Sequence, residues 1–222
     1  TAFHIVIIGG GAGGSELCLA LRHRLRTRIA IQGGNPDRLR FSIVSNSATL
    51  LPQHARGVYR RMEKAVREAD VNLHLMRRVT LMDATGIYFS DNTRLDCDAA
   101  ILATHAGAPD WLRHTGLALD ARGFIEVTDT LQARSHPDIF AAGDIASMRG
   151  RKLEKSGVYA VRQGPVLLKN LRLAAQGGQL SPFRPQRRAL ALISTGRQHA
   201  IASYGAFALQ GEWVWRLKDR ID

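Results

Sequence analysis

The sequence predicts an α/β fold in which a doubly wound, mostly parallel sheet carries a β-hairpin or meander insertion. Residues 3–8, Phe-His-Ile-Val-Ile-Ile, are an apolar run that ends in glycines and is typical of a buried parallel strand. Stretches with helical spacing of apolar residues then alternate with short apolar runs as far as residue 103. Residues 79–98 are instead β-rich around the turn Asp91-Asn92, which indicates antiparallel strands.

The first hundred residues are predicted to contain strands and helices in turn. The predicted elements are a strand at 3–8, a helix at 14–26, a strand at 28–32, a loop at 33–37, a helix at about 54–69, a strand at 71–75 and, after the insertion, a strand at 99–103. Residues 39–44 are apolar and partly β-branched, and the pattern alone does not assign them to either class.

From residue 104 the pattern changes to a loop-rich stretch that leads to a strand at 136–142. A helix is predicted at about 157–175. Pro165 within it removes a backbone donor, so we expect a kink there or two shorter helices. Residues 189–204 and 206–216 are predicted to form strands on either side of Gly205.

The composition is that of a globular protein with a sizeable core. Of 222 residues, 45% are hydrophobic and 23% are charged. No apolar run approaches the roughly 18 residues that a membrane helix needs, and the N-terminus lacks the features of a signal peptide. Cys18 and Cys97 are too few for a disulfide scaffold and are expected to be reduced structural thiols in a cytoplasmic protein.

The glycine-rich turn after the first strand predicts a dinucleotide site of the Rossmann type. Gly9, Gly11 and Gly14 satisfy G-x-G-x-x-G between a predicted strand and a predicted helix. In this pattern the first glycine permits a tight turn, the second admits a pyrophosphate to the backbone, and the third lets helix and strand pack closely. The helix start, with Ala12 and Gly13, then offers unpaired N–H donors to the phosphates.

The residue that would contact the adenosine ribose is expected at the end of the second strand. With that strand at 28–32, the position is occupied by Gln32, whose amide could reach a ribose hydroxyl although it is not a carboxylate. Arg38 and Arg40 could instead face a 2′-phosphate, or they are simply solvated arginines. The choice between NAD and NADP therefore stays open.

Four motifs of the chain occur together. They are the glycine loop followed by Glu16, the stretch 98–104 ending in Ala-Thr, the stretch 123–127 followed by Ser-His-Pro-Asp-Ile-Phe-Ala-Ala-Gly-Asp at 135–144, and Lys-Ser-Gly-Val-Tyr-Ala-Val-Arg-Gln-Gly at 155–164. Together they resemble the pyridine nucleotide-disulfide oxidoreductase superfamily, in particular its NADH dehydrogenase-like branch, which includes the flavoprotein domain fused to selenophosphate synthase. The third is the most specific, and the resemblance covers nearly the whole chain.

The resemblance implies FAD and NAD(P)H as cofactors. It assigns Glu16 to the nicotinamide-binding fingerprint, Thr104 to the end of a strand beside the nucleotide, and Gly143 with Asp144 to the ribityl chain of the flavin. The helix near 157 would then lie under the flavin ring, and Lys155 could add positive charge at the flavin edge. Alternatives from the residues alone are a first-turn glutamate for Glu16, a helix cap for Asp144 and an inert surface lysine for Lys155.

The resemblance also implies a division of the chain. Residues 1–105 would be the NAD(P)-binding domain, 106–180 part of a second, FAD-binding domain, and 181–222 the start of a C-terminal β-rich interface region.

Two departures from the family pattern stand out. His105 occupies the place of the usual glycine, and the first, flavin-binding glycine loop does not precede Thr1. We therefore expect a fragment or half of a larger polypeptide.

The net charge of +12 raises the question of a polyanionic partner. The excess is concentrated in residues 22–28, in Arg38 and Arg40, and in 184–188, and no aromatic residues interleave with these arginines. A specific nucleic-acid partner is therefore not expected. Trp213-Val-Trp215 with Arg216 and Lys218 could make a weak, peripheral contact with a membrane surface. The favoured interpretation places these tryptophans on a strand facing a domain or dimer interface, as in a homo-oligomer.

The function expected from the sequence is that of an FAD-dependent NAD(P)H dehydrogenase. It would pass a hydride from nicotinamide to flavin and on to a quinone or another small electron acceptor. No Cys-x-x-x-x-Cys or Cys-x-x-Cys pair is present, which argues against a disulfide relay. No catalytic residue and no metal site is predicted. The alternative is a non-catalytic module that binds or senses a nicotinamide nucleotide, and a nucleic-acid-associated protein is motivated by charge alone.

Overall fold

The computed structural model describes residues 2–151, 153–186 and 189–221. These residues form two compact units. The first unit is built from the described parts of 1–104 and 188–222, and the second from those of 105–187. Of the basic cluster at 184–188, Arg187 and Arg188 lie outside the described residues. The assignment of one cofactor to each part of the chain stays a prediction.

A four-stranded parallel sheet organises the first unit, with strand order β3-β2-β1-β7. Its strands and the two helices between them confirm the predicted α/β class. The elements are β1 (Phe3–Ile8), α1 (Ala12–Ile31), β2 (Leu39–Val44), α2 (Arg56–Glu68), β3 (Val71–His74) and β7 (Ala99–Leu102). A 3-10 turn at Pro36–Arg38 leads into β2.

The two faces of this sheet are covered differently. Alternate residues of β1, such as Ile5 and Ile7, belong to a core that includes α1 and α2. Val6 and Ile8 point to the other face and pack with Ile87 of the antiparallel insertion. That insertion is a meander of β4 (Val79–Met82), β5 (Gly86–Phe89) and β6 (Arg94–Asp96), as the sequence predicts.

The predicted second strand at 28–32 is wrong, and residues 39–44 form the second strand instead. Leu21, Leu25 and Ile29 all pack on the same core at spacings of four residues, so the helical stripe of α1 continues through the segment that was predicted to be a strand. Gln32 is the C-cap of α1, not the end of a strand. The strand that pairs with β1 is β2, which is buried along almost its whole length.

The C-terminal segment forms a small antiparallel sheet and a helix within the first unit. Its strands are β12 (Ala191–Ser194), β13 (Ala200–Tyr204) and β14 (Phe207–Gly211), in that order, followed by α4 (Glu212–Ile221). Ile193 and Ile201 join the core formed by α1 and α2.

Residues 189–216 therefore differ from the prediction of two strands. A turn at 195–199 divides the first predicted strand, and the second ends at Gly211, whose φ is +149°. The tryptophans lie on helix α4, where Val214 is buried and Glu212 pairs with Arg216 one turn later at 2.7 Å.

The second unit contains a four-stranded sheet, with order β10-β9-β8-β11, and one long helix. Its elements are β8 (Ile125–Val127), β9 (Gln132–Ala133), β10 (His136–Phe140), β11 (Ala146–Met148) and α3 (Gly157–Ala175), with 3-10 turns at Asp110–His114 and Gly143–Ile145. The expectation of two shorter helices is not met, because α3 continues through Pro165 as a single helix.

Candidate functional site

The glycine loop joins the carboxyl end of β1 to the start of α1. Gly11 is the N-cap of the helix and Ala12 its first residue. Ser15 donates its backbone N–H to the carbonyl of Gly11 at 3.0 Å, which closes the first turn. The amides before it belong to the part of a helix that has no intrahelical acceptor, and the helix dipole adds positive potential there. The loop is therefore a helix tip suited to an anion.

The glycines of this loop have two distinct structural roles. Gly9 has a φ of +139°, and a Cβ there would lie 2.2 Å from the carbonyl oxygen of Ala103. A Cβ on Gly14 would lie 2.0 Å from the carbonyl oxygen of Gly9. A Cβ on Gly11 or Gly13, by contrast, would meet nothing within 4 Å. Gly9 and Gly14 are thus required by packing, whereas Gly11 and Gly13 leave open space over the helix tip.

Thr104 lies beside this loop, because the carboxyl ends of β1 and β7 are adjacent in the sheet. Its backbone nitrogen is 3.1 Å from the position that a Cβ on Gly9 would take. The structure thus brings Thr104 together with the glycine loop, as expected. Its contact with a nucleotide stays a prediction.

Gln32 lies away from the glycine loop. It is the C-cap of the 20-residue helix α1, whereas Gly11 of the loop is the N-cap of the same helix. The residues that follow β2 are Ser45, Asn46 and Ser47. Ser45 approaches the loop so closely that a Cβ on Gly10 would lie 2.7 Å from its Oγ. In a Rossmann fold the ribose contact is expected after the second strand, so the misplaced strand moved that expectation to Gln32. A contact of Ser45, Asn46 or Ser47 with a ribose is a prediction.

Glu16 connects α1 to the C-terminal segment of the same unit. Its Oε1 accepts the backbone N–H of Ser194 at 2.7 Å and lies 3.8 Å from Nζ of Lys218. These contacts give Glu16 a structural role, which neither alternative from the sequence included. A role toward nicotinamide stays a prediction.

In the second unit, Gly143, Asp144 and Lys155 lie close to one another. Gly143 adopts a φ of +71°, and its backbone N–H donates to Oε1 of Gln163 on α3 at 2.5 Å. Asp144 is exposed. The Lys155 ammonium donates to the carbonyl of Ala146 and lies 4.0 Å from the ring centroid of Phe124. Burial, followed by the charge of Arg122, lowers the pKa of Lys155. The carboxylates of Asp120 and Asp144 act in the opposite direction.

Cys18 and Cys97 are both free and buried. Burial raises the pKa of the Cys18 thiol to about 12, from an ordinary value of 9.0. Burial, with the charge of Asp98 acting in the same direction, raises the pKa of Cys97. Since only the thiolate is a nucleophile, neither cysteine is suited to thiol–disulfide exchange.

We expect Cys18 in the native protein to react with a colourless aromatic disulfide reagent at pH 8 at least about 100-fold more slowly than in the unfolded chain, because its thiolate fraction is lower by about a thousand-fold. The measurement is the rate of chromophore release, with the modified cysteine identified by mass spectrometry. In 6 M guanidinium both thiols should react within minutes. Rapid native labelling of Cys18 would contradict the buried, protonated thiol.

A model of the pyridine nucleotide-disulphide oxidoreductase family matches residues 2–164. The chain belongs to this family. Among its curated relatives in the family is ferroptosis suppressor protein 1 of Xenopus tropicalis, 24% identical over 99% of this chain and 58% of the relative. Another is the type II NADH:quinone oxidoreductase of Haemophilus influenzae, 24% identical over 82% of this chain and 42% of the relative. The chain thus spans about half the length of these relatives.

The fold is also found among solved structures. The structure of NDH2 from Plasmodium falciparum in complex with NADH superposes with a TM-score of 0.81, at 13% identity, over 99% of this chain and 61% of that one. Among the helices of the described residues, none is long and apolar enough to cross a membrane.

Proposed function

We propose that the protein is an FAD-dependent NAD(P)H dehydrogenase that delivers electrons to a quinone or another small acceptor without a redox disulfide. The observation that carries the proposal is the open space over Gly11 and Gly13 at the tip of α1, in a chain of the pyridine nucleotide-disulphide oxidoreductase family. A diphosphate placed there would meet backbone N–H donors and no side chain of the loop.

The residues present fit the two cofactors. Gly11, Ala12 and Gly13 would hold the diphosphate of NAD(P)H, with Thr104 beside it. Asp144, being exposed, can accept hydrogen bonds from ribityl hydroxyls, and the start of α3 offers free amides and a positive dipole end to the flavin ring. When bound, a nicotinamide supplies a hydride and a flavin accepts it. Lys155 lies close enough to Asp144 for their charges to interact, and it would add positive charge near the flavin.

A quinone-type acceptor is favoured over a disulfide by the state of the cysteines. Cys18 and Cys97 are buried and have raised pKa values, so they do not provide the exposed thiolate that a disulfide relay needs. The relative from Haemophilus influenzae is a NADH:quinone oxidoreductase by name, which supports the same class of acceptor.

Helix α4 supports a weak, peripheral contact with a membrane surface. Trp213 is 55% exposed and Ile221 62% exposed, and with Leu217 they form an apolar stripe at spacings of four residues. Arg216 and Arg220 are exposed next to it. An apolar stripe with flanking cations is the pattern of a helix that lies in a membrane interface. A cytoplasmic location and assembly as a homo-oligomer or in a larger polypeptide stay predictions.

The test is reduction of the purified intact protein by NADH without oxygen, followed at the flavin absorbance near 450 nm. Addition of a water-soluble quinone should restore the oxidised spectrum, and addition of a small disulfide should not. Rapid reoxidation by the disulfide alone would contradict the proposed acceptor. Binding of NADH without any flavin or hydride transfer would contradict the enzyme and support the nucleotide-sensing module.

Replacing Asp144 by asparagine is expected to lower the flavin retained after purification at least about fivefold, because charge-assisted hydrogen bonds to the ribityl chain are lost. The measurement is the ratio of flavin to protein absorbance. Asp138→Asn is the matched control, since Asp138 is also exposed and lies in the preceding strand. Equal flavin loss in both variants would show that Asp144 has no specific role.

A further inference from the structure

A second cleft in the first unit lies away from the glycine loop. It has a volume of about 330 Å³ and is bordered by α1, α2 and the turn at 195–199. We call it the basic cleft and define it by Arg22 of α1, Arg61 and Lys64 of α2, and Arg197 of the turn. Glu68 is the one carboxylate among the described residues that line it, and His23, Thr195 and His199 also face it.

A glycine places the turn against α1. Gly196 adopts a φ of +91°, and a Cβ there would lie 2.6 Å from the carbonyl oxygen of Leu19. The turn is also closed internally, because Thr195 and His199 are joined by a backbone hydrogen bond of 3.0 Å and by a side-chain hydrogen bond of 2.8 Å. A close, well-defined approach thus brings Arg197 next to Arg22.

The cations of the cleft are poorly neutralised by the protein. Glu68 lies 3.6 Å from Lys64 on its own helix. Arg22, Arg61 and Arg197, in contrast, form no ion pair of 4.0 Å or less with any carboxylate of the described residues. Burial lowers the pKa of Arg22, and the charges of Arg26 and Arg197 act in the same direction against that of Asp70. Like charges held together in this way favour a bound anion.

We propose that the basic cleft binds a small phosphate-bearing anion at a site separate from the nucleotide site. Guanidinium groups present forked donors that match phosphate oxygens, and three of them border one cavity large enough for a small molecule. Arg22 lies eleven residues beyond Gly11 along α1, which corresponds to about 16 Å. A diphosphate at the glycine loop therefore does not occupy this cleft.

The test is calorimetric titration of the full chain with pyrophosphate and with inorganic phosphate at constant ionic strength. The double variant Arg22→Gln with Arg197→Gln is expected to lose pyrophosphate affinity at least tenfold while retaining its circular dichroism spectrum and its affinity for NADH. The control is Arg24→Gln with Arg28→Gln, which removes the same charge from exposed positions of the same helix outside the cleft. It should bind pyrophosphate as the unmodified protein does.

A further variant separates this proposal from the nucleotide site. Gly11→Val, which fills the space over the helix tip, should leave pyrophosphate binding at the cleft unchanged. Loss of pyrophosphate binding in Gly11→Val would overturn the proposal, because it would place the pyrophosphate at the glycine loop. So would equal losses in both double variants, or no binding at all. Tighter binding of a DNA duplex through Arg22 and Arg197 would assign the cleft to nucleic acid instead.

Discussion

Gly11→Val is expected to weaken NADH binding by at least about 100-fold while the protein stays folded, because a branched side chain would occupy the space that a diphosphate needs. Gly11 has φ −75° and ψ −178°, which valine adopts without strain, and a Cβ there meets nothing within 4 Å. Replacement of an N-cap glycine should cost only about 1 kcal/mol of stability. The measurement is NADH affinity by fluorescence titration, with thermal unfolding of the same sample.

Gly107→Val is the matched control for this variant. Gly107 also has open space around its Cβ position but lies in a loop of the second unit, outside the glycine loop. It should bind NADH with unchanged affinity. If Gly11→Val bound NADH as tightly as this control does, the diphosphate would not lie at the tip of α1, and the proposed nucleotide site would be wrong.

Asn170→Ala is expected to destabilise the second unit by about 3 kcal/mol or more, because it leaves several buried polar groups without partners. The Asn170 side chain is fully buried. Its Nδ2 donates to the carbonyls of Thr130 and Ser181, and its Oδ1 accepts the N–H of Ser181, each at 2.8 Å. One amide thus joins α3 to two loops. The measurement is urea unfolding, with hydrogen–deuterium exchange of α3 to localise the loss.

Gln176→Ala removes an exposed amide side chain at the end of the same helix and serves as the control. Its unfolding free energy should change by less than about 0.5 kcal/mol. A loss below about 1 kcal/mol for Asn170→Ala would mean that water or a local rearrangement satisfies the groups that Asn170 leaves behind.

The nucleotide loop could be predicted from the sequence because its determinants are local. Residues 3–25 contain three successive local signals. They are an apolar strand run, closely spaced glycines and a stripe of apolar residues at helical spacing. The meander at 79–98 and the class of the fold could be predicted for the same reason. The motif around Gly143 and Asp144 allowed a family to be named, although their place beside α3 needed the structure.

The extent of α1 could not be predicted, because Arg28-Ile-Ala-Ile is as β-like locally as it is helical. Packing on the core makes this segment helical, since Ile29 continues the apolar stripe of Leu21 and Leu25 along α1. The same error moved the expected ribose contact from the residues after β2 to Gln32. The tryptophans of α4 were misassigned for a similar reason, because an alternating Trp-Val-Trp fits either periodicity over so few residues.

The sequence by itself determined the strand, glycine loop and helix that form the helix tip, because each depends on residues close together in the chain. Only the tertiary structure decided what packs against them. Glu16 contacts Ser194, and Arg22 lines the same cleft as Arg197, across more than 170 residues. Such pairs arise from burial of Ile193 and Ile201 in the core beside α1, and no local pattern records which distant strand completes a core.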